Sequence, residues 1–150
     1  MQIISMKKLL LGLIILLPAF GIAAGQAVPD PMMSKCLSST GPASKYLKDY
    51  RIQLGQGTSQ NDFRYRAKMS LWKNTKYRFT LCTADNSKGK LILTIWDETN
   101  KMVLSSVDND TGTVYSYIDF ICNKSGIYQV GFDFTERQSG SGVSIVSMIQ

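Results

Sequence analysis

Histidine is absent from the 150-residue sequence. Its absence excludes a Ser-His-Asp triad, a Cys-His nucleophile pair and a zinc site with imidazole ligands. The sequence nominates no pair of carboxylates for glycoside hydrolysis, because the candidate acids are too scattered: Asp97, Glu98, Asp119, Asp133 and Glu136. We therefore predict that the protein is not an enzyme. No cofactor is expected, apart from the calcium ion considered below.

Long apolar runs are scarce as well, and the clearest one lies at the N-terminus. Lys7 and Lys8 precede the run Leu9–Leu17, which Pro18 and several small residues follow. A basic segment, a short apolar core and small residues form the layout of a secretory signal peptide. A membrane anchor is the alternative, but Pro18 interrupts the run before the ~20 apolar residues that a span needs. We predict a cleaved signal peptide at residues 1–25.

Export determines which partners can be expected. The chain would be secreted, periplasmic or at the cell surface, without a transmembrane span after signal cleavage. The mature chain would have a formal charge of 6 − 2 = +4, with the basic residues concentrated in 26–90, and this asymmetry could steer a polyanion to one surface or simply be solvated. Nucleic acid is disfavoured, because the chain is exported and carries no nucleic-acid-binding motif.

Helical periodicity of ten residues or more is also missing after the signal peptide. Residues 26–44 are rich in Pro, Ser and Gly and predict an extended N-terminal arm. From residue 45 onward, apolar and polar side chains alternate with the period of a strand. Phe63, Tyr65, Ala67 and Met69 illustrate this alternation, since they share one face of a predicted strand.

Turn residues separate the alternating segments and give a count of about eight strands. They are predicted near residues 50–54, 63–69, 77–81, 91–97, 102–107, 114–122, 127–135 and 143–149. Short strands at regular spacing are typical of an all-β fold. We predict an antiparallel β-sandwich or barrel over residues 45–150, and the resemblance described next favours a jelly-roll-like β-sandwich.

Three segments carry a resemblance to a known family: Tyr77-Arg78-Phe79, Leu91 to Asp97 (LILTIWD) and Ser125 to Val130 (SGIYQV). In this order they resemble the strands of the bacterial pre-peptidase C-terminal (PPC) type of jelly-roll domain, over about residues 63–149. Members of that family are usually non-catalytic modules beside a catalytic domain. The resemblance thus implies a sandwich with a binding or accessory role.

The three cysteines allow one disulfide and one remaining thiol in an oxidising compartment. Cys82 and Cys122 each end a predicted strand, so a Cys82–Cys122 disulfide is the first expectation. Alternation places Cys82 outward and Cys122 inward, so this bridge needs a bulge or a crossing that brings the Cα atoms within ~7 Å. A bridge from Cys36 to the domain, or no bridge, is the alternative.

One loop, Asp108-Asn109-Asp110-Thr111-Gly112, resembles half of a calcium-binding loop. Asp108 and Asp110 would supply oxygen ligands two residues apart, followed by a glycine turn. No glutamate follows at the spacing of an EF-hand, and the same residues are common in solvated turns. Calcium at Asp108 and Asp110 and a simple turn are both open.

Aromatic and basic side chains supply the candidate ligand-binding residues. Trp96 alternates with the inward set Leu91, Leu93 and Ile95, so its ring is expected outside, although it could instead cap a second hydrophobic layer. Exposed aromatic rings can stack on sugars or fill a partner's pocket. The other candidates are Trp72 in a turn, Tyr115 and Tyr117 opposite Ile118 and Phe120, and the outward stripe Arg64, Arg66 and Lys68.

Two functions fit these features. The first is a non-catalytic binding or accessory module whose ligand is a glycan or an envelope protein. The second is a structural subunit of a cell-envelope complex, in which residues 26–44 would add to a neighbouring subunit. The basic stripe could also be a solvated strand face without a ligand.

Overall fold

The computed structural model describes residues 30–58 and 63–150, and the signal peptide predicted at 1–25 lies outside them. Within these residues, one short helix and a 3₁₀ turn accompany eight strands. The elements are α1 Pro31–Ser38, β1 Ser44–Leu54, β2 Tyr65–Leu71, β3 Lys76–Thr83, β4 Leu91–Trp96, β5 Met102–Ser105, β6 Tyr117–Ile121, β7 Gly126–Phe134, the turn Thr135–Arg137, and β8 Gly140–Ile149.

The strands form two four-stranded sheets in which every neighbouring pair is antiparallel. The order is β1-β8-β3-β6 in sheet A and β2-β7-β4-β5 in sheet B. Of the seven connections, the one between β4 and β5 joins neighbouring strands and the other six cross between the sheets. This is the strand order of a jelly roll. The all-β sandwich predicted from the alternation pattern is thereby confirmed.

The core lies between the two sheets and consists of the side chains that alternation points inward. Leu91, Leu93 and Ile95 of β4 are buried, as predicted. So are three inward residues of β3, Tyr77, Phe79 and Leu81, together with Val130, Phe132 and Phe134 of β7. Burying each such side chain contributes roughly 1.5–3 kcal/mol, so the two inner faces supply most of the apolar stabilisation.

Two segments differ from the strand prediction in detail. Phe63 precedes β2, and its ring packs edge-on against Trp96, with ring centroids 5.3 Å apart, on the opposite side of sheet B from Tyr65. The strand expected at 114–122 is shorter, because only residues 117–121 form β6. Val114 pairs with Val107 in an isolated bridge that closes the Asp108 loop.

The extended arm predicted at 26–44 is wrong for residues 31–38, which form helix α1. Asp30 caps the helix, because its Oδ1 accepts from the backbone N–H of Met32 at 3.0 Å. Pro31 stands in the first turn, where its missing N–H costs no hydrogen bond. A proline that suggested a linker therefore serves as a helix-start residue.

Helix α1 covers part of the outer face of sheet A. Cys36 of the helix forms a small buried cluster with Val143 and Ile145 of β8, and Met32 and Met33 pack against it. Below the helix, Arg78 Nη1 donates to the backbone oxygen of Thr40 at 3.3 Å. Residues 30–40 are therefore part of the domain's own second hydrophobic layer.

The disulfide predicted between Cys82 and Cys122 is wrong, because Cys82 pairs with Cys36. Cys82 lies on the outer face of β3, beneath α1, and its Cα atom is 5.8 Å from that of Cys36. Cys122 is buried at the end of the main core as a free thiol. The two strand-end cysteines thus lie on different sides of sheet A, as their alternation indicated.

Candidate functional site

The seven residues predicted to bind a ligand lie in three separate places. Arg64, Arg66, Lys68 and Trp96 belong to the outer side of sheet B, and Trp72 lies in the turn after β2. Tyr115 and Tyr117 lie beside β5, on the far side of the sandwich. No single surface brings all of them together.

Trp96 is half-buried and belongs to a second hydrophobic layer on sheet B. Its ring lies on Gly131 of the neighbouring strand, where an added Cβ atom would come within 2.6 Å of the ring. Phe63 meets the ring from one side, and the Arg66 guanidinium lies 4.7 Å from its centroid. The expectation of an open Trp96 ring is wrong, because Gly131 leaves room for the indole to lie flat across the sheet.

Arg64 is part of a buried ion pair and not of a solvated stripe. Its Nε and Nη2 donate to Oδ1 of Asp133 at 2.9 and 2.7 Å. Nη2 also donates to the backbone oxygen of Gln138 at 2.9 Å. Arg64 therefore joins the start of β2 to the turn after β7. Arg66 and Lys68 are exposed, as predicted for this face.

Trp72 is the most exposed large apolar side chain among the described residues. Its backbone N–H donates to the hydroxyl of Tyr77 at 2.9 Å, which fixes the start of the turn. The exposure predicted for Trp72 is confirmed, but the residue lies away from both the basic face and the two tyrosines.

Tyr115 and Tyr117 line a groove between β5 and β6, which are edge strands of the two sheets. The groove has a volume of about 420 Å³, and Ser105, Ser116 and Asp119 add polar groups to its wall. Both tyrosine rings are about half exposed, as predicted. Aromatic faces beside hydroxyl and carboxylate groups form a surface on which a polar ring can stack and donate hydrogen bonds.

The walls of this groove are held by backbone hydrogen bonds. The N–H of Tyr115 donates to the oxygen of Ser106 at 2.9 Å, and Leu81 N–H donates to the oxygen of Ser116 at 2.7 Å. Tyr115 is thus anchored to the residue after β5. Ser116, which lies between the two tyrosines, is anchored to β3. The backbone that carries the two rings is therefore anchored to its neighbours.

Arg78 and Asp119 form the electrostatic centre of the groove. Arg78 donates to both carboxylate oxygens of Asp119, at 2.8 and 3.0 Å, and its guanidinium lies 4.5 Å from the Tyr117 ring centroid. Lys76 adds a second cation 3.1 Å from Asp119. The hydrogen bonds from Arg78 hold the pKa of Asp119 below its usual range, so the carboxylate is ionised at neutral pH.

Arg78 could be predicted as an extension of the basic stripe and Asp119 as a charged residue within a strand, but their pairing was not predicted. They are opposite each other in the register of β3 and β6 but 41 residues apart in sequence. Asp119 stands out in the sequence as a charged residue within the alternating segment 114–122. Its partner could not be predicted, because it depends on the pairing of β3 with β6.

The Asp108 loop is closed by its own side chain. Asp108 Oδ1 accepts from the N–H groups of Asp110 and Thr111 at 2.9 and 3.2 Å, and these bonds lower the pKa of Asp108. Gly112 takes a positive φ of 71°, which a glycine adopts without strain. Within residues 30–58 and 63–150, no three His, Cys, Asp or Glu side chains cluster as metal ligands would. Calcium binding at Asp108 and Asp110 stays a prediction.

The free thiol of Cys122 is satisfied inside the protein. Its Sγ donates to the backbone oxygen of Lys124 at 3.1 Å, and the Tyr128 hydroxyl donates to the same oxygen at 2.7 Å. Burial, followed by the neighbouring Cys122, raises the pKa of Tyr128 to about 12. The Tyr128 hydroxyl is therefore neutral at neutral pH, and its hydrogen bond and that of Cys122 to the Lys124 oxygen hold the 122–125 turn.

No protein-family model matches the sequence, and no curated protein matches it either. The resemblance to the PPC type of domain stays a prediction from the three segments that carry it. Within the described residues, the structure has no helix with the length and hydrophobicity that a membrane span requires.

Proposed function

We propose that the protein is an exported, non-catalytic binding module that holds a glycan in the groove between β5 and β6. The observation that carries the proposal is the pair of half-exposed rings, Tyr115 and Tyr117, beside the ionised carboxylate of Asp119. A sugar ring has apolar C–H faces and a rim of hydroxyls, so it suits an aromatic wall next to a strong acceptor.

The charge state of the groove supports binding and not hydrolysis. A glycosidase needs a carboxylic acid whose pKa is raised so that it can protonate the leaving group. Arg78 has the opposite effect on Asp119, whose pKa is lowered. Among the described residues that line the groove, Asp119 is alone in carrying a carboxylate.

Export is supported by the disulfide together with the N-terminal sequence pattern. Disulfides such as Cys36–Cys82 persist in oxidising compartments, which include the periplasm and the cell surface. The basic segment and apolar run at residues 7–17 are typical of a secretory signal peptide. We infer that the mature protein acts in the cell envelope or outside the cell.

A glycan array followed by calorimetry on the best glycan tests this proposal. Tyr117→Ala and Tyr115→Ala should each weaken binding by roughly 1–3 kcal/mol, because each removes one stacking ring. Tyr46→Ala is the matched control, since Tyr46 is a tyrosine of similar exposure on β1, at the opposite edge of sheet A. Absence of any glycan ligand, or equal loss in all three variants, would overturn the proposal.

A further inference from the structure

Three short connections meet at one end of the sandwich. They are residues 72–75 between β2 and β3, 97–101 between β4 and β5, and 122–125 between β6 and β7. The registers of β2 with β7, of β3 with β6 and of β4 with β7 place these connections side by side. We call this region the turn end.

Hydrogen bonds and an ion pair make the turn end one connected platform. Asn74 N–H donates to the oxygen of Cys122 at 2.9 Å, and Cys122 N–H donates back to Thr75 at 3.0 Å. An ion pair between Lys124 and Glu98 joins the second and third turns. The backbones of the first and third turns are therefore held together, and the ion pair links the third turn to the second.

Exposed apolar side chains concentrate at this end. Four of the five most exposed large apolar residues of the described chain lie in these turns or within two residues of them: Trp72 at 68%, Ile121 at 62%, Ile127 at 56% and Met102 at 51%. At the opposite end, in the described residues 84–90, 106–116 and 135–139, one large apolar residue is exposed, Tyr115. Clusters of exposed apolar side chains on soluble domains mark surfaces that contact something apolar.

The apolar surface continues inward between two of the turns. A cavity of about 460 Å³ opens there, with Phe120 and Tyr128 in its wall and Met102 and Ile127 at its sides. The Tyr128 and Phe120 rings meet edge to face at 5.7 Å, which gives the cavity a firm aromatic wall.

Basic residues surround the apolar side chains. Four lysines lie in the three turns or directly beside them, against two carboxylates, a net charge of 4 − 2 = +2. The lysines are Lys73, Lys76, Lys101 and Lys124, and the carboxylates are Asp97 and Glu98. All four lysines are exposed.

We propose that the turn end is a membrane-docking surface that inserts its apolar tips into an anionic bilayer. A tryptophan at the tip of a turn suits the boundary between headgroups and acyl chains, where its ring is apolar and its N–H remains solvated. Lysines around the tips would lie at the level of the anionic headgroups. Apolar insertion together with lysine contacts gives reversible attachment without a membrane-spanning segment.

The charge pattern favours a bilayer over a second copy of the chain. A symmetric contact through the turn end would bring two net-positive surfaces together, and like charges facing each other oppose association. An anionic lipid surface instead complements both the apolar tips and the lysines.

Fluorescence provides the first test, because the sequence has two tryptophans. Trp96→Phe leaves Trp72 as the reporter. With vesicles of phosphatidylcholine mixed with phosphatidylglycerol, its emission should shift to shorter wavelength as the ring leaves water. With phosphatidylcholine vesicles alone, the shift should be much smaller. Lack of a shift with anionic vesicles, or a lipid-independent shift that grows with protein concentration, would overturn the proposal.

Vesicle co-sedimentation of the full mature chain provides the second test and does not depend on tryptophan. Trp72→Ala combined with Ile127→Ser should lower the partition coefficient on anionic vesicles at least about tenfold. Leu37→Ser is the control, since Leu37 is an exposed apolar residue on α1, away from the turns. Equal partitioning of the double variant and the control would contradict insertion.

A lysine pair tests the electrostatic half of the proposal. Lys73→Ala with Lys101→Ala should weaken binding to anionic vesicles about tenfold or more, whereas Lys88→Ala with Lys90→Ala at the opposite end should have little effect. Equal effects of the two pairs would mean that net charge alone matters, and would contradict docking by the turn end. Glycan binding is a separate readout, since the groove between β5 and β6 keeps all its residues in these variants.

Discussion

The outer faces of the two sheets each contain an arginine-aspartate ion pair, and the two pairs differ in solvent exposure. On sheet B the pair is Arg64 with Asp133, whose side chain is 5% exposed. On sheet A it is Arg78 with Asp119, whose side chain is 26% exposed and borders the groove.

This difference in exposure separates a structural pair from a surface that can bind. Asp133 also accepts from the backbone N–H of Phe134 at 2.7 Å, so its oxygens are committed within the fold. Asp119 shares its charge between Arg78 and Lys76 at the edge of open space. A ligand hydroxyl can reach Asp119 without breaking the fold, whereas nothing outside the protein reaches Asp133.

The largest effect on the free energy of unfolding is expected from removing the disulfide that joins α1 to sheet A. Replacing Cys36 and Cys82 together by serine opens a loop with a sequence separation of 46 residues. The chain-entropy relation gives a loss of about 4 kcal/mol in the free energy of unfolding. Urea unfolding would measure it, with reduced wild-type protein as the control that should match the variant. A loss under about 1 kcal/mol would show that α1 packs without the bridge.

Asp133→Asn should cost about 3 kcal/mol, because it leaves the Arg64 guanidinium largely buried without its counter-charge. Asp119→Asn is the matched change on the other face, and it should cost under about 1 kcal/mol. Equilibrium urea unfolding of both variants at neutral pH makes the comparison. Equal losses would show that the two faces do not differ as their exposure indicates.

The two tryptophans allow the same comparison for aromatic rings. Trp96→Ala should lower the free energy of unfolding by about 2 kcal/mol, since its half-buried ring covers Gly131 and contacts Phe63. Trp72→Ala should stay within about 0.5 kcal/mol of wild type, because its ring is mostly solvated. Thermal unfolding followed by circular dichroism would detect the difference, and a larger loss for Trp72→Ala would contradict it.

Local alternation predicted the fold because each strand's inner face is visible in the sequence. The inward set of β4 was identified without knowing which strands lie beside it. Helix α1 was missed although Asp30 followed by Pro31 is a recognisable helix start, because the surrounding Pro, Ser and Gly content was weighed more heavily. Helix α1 could therefore have been predicted from Asp30 and Pro31 alone.

The candidate site was harder to predict because its parts are joined by long-range pairing. Tyr115 and Tyr117 could be placed on the surface by alternation, but the pairing of β3 with β6 brings Arg78 to them. Trp96 was placed correctly on the outer face of its strand. The position of its ring against Gly131 of the neighbouring strand could not be predicted. Such cross-strand relations leave no trace within a single segment.

The smallest effect is the pH dependence of the open pair on sheet A. The pKa of Asp119 is lowered in the folded protein, chiefly by the hydrogen bonds from Arg78. A carboxylate with a lowered folded pKa stabilises the fold above its unfolded pKa of about 4, and this contribution is lost as the pH falls through the folded value. The stability gap between wild type and Asp119→Asn should therefore be constant from pH 7 to about pH 5 and shrink toward zero below pH 4.

Urea unfolding at several pH values between 7 and 3 would measure this gap, which should not exceed about 1 kcal/mol at its largest. Arg78→Met provides the control background, because Asp119→Asn should open a smaller gap once the main donor is gone. An equal gap in the wild-type and Arg78→Met backgrounds would show that the hydrogen bonds from Arg78 do not stabilise the ionised Asp119 carboxylate.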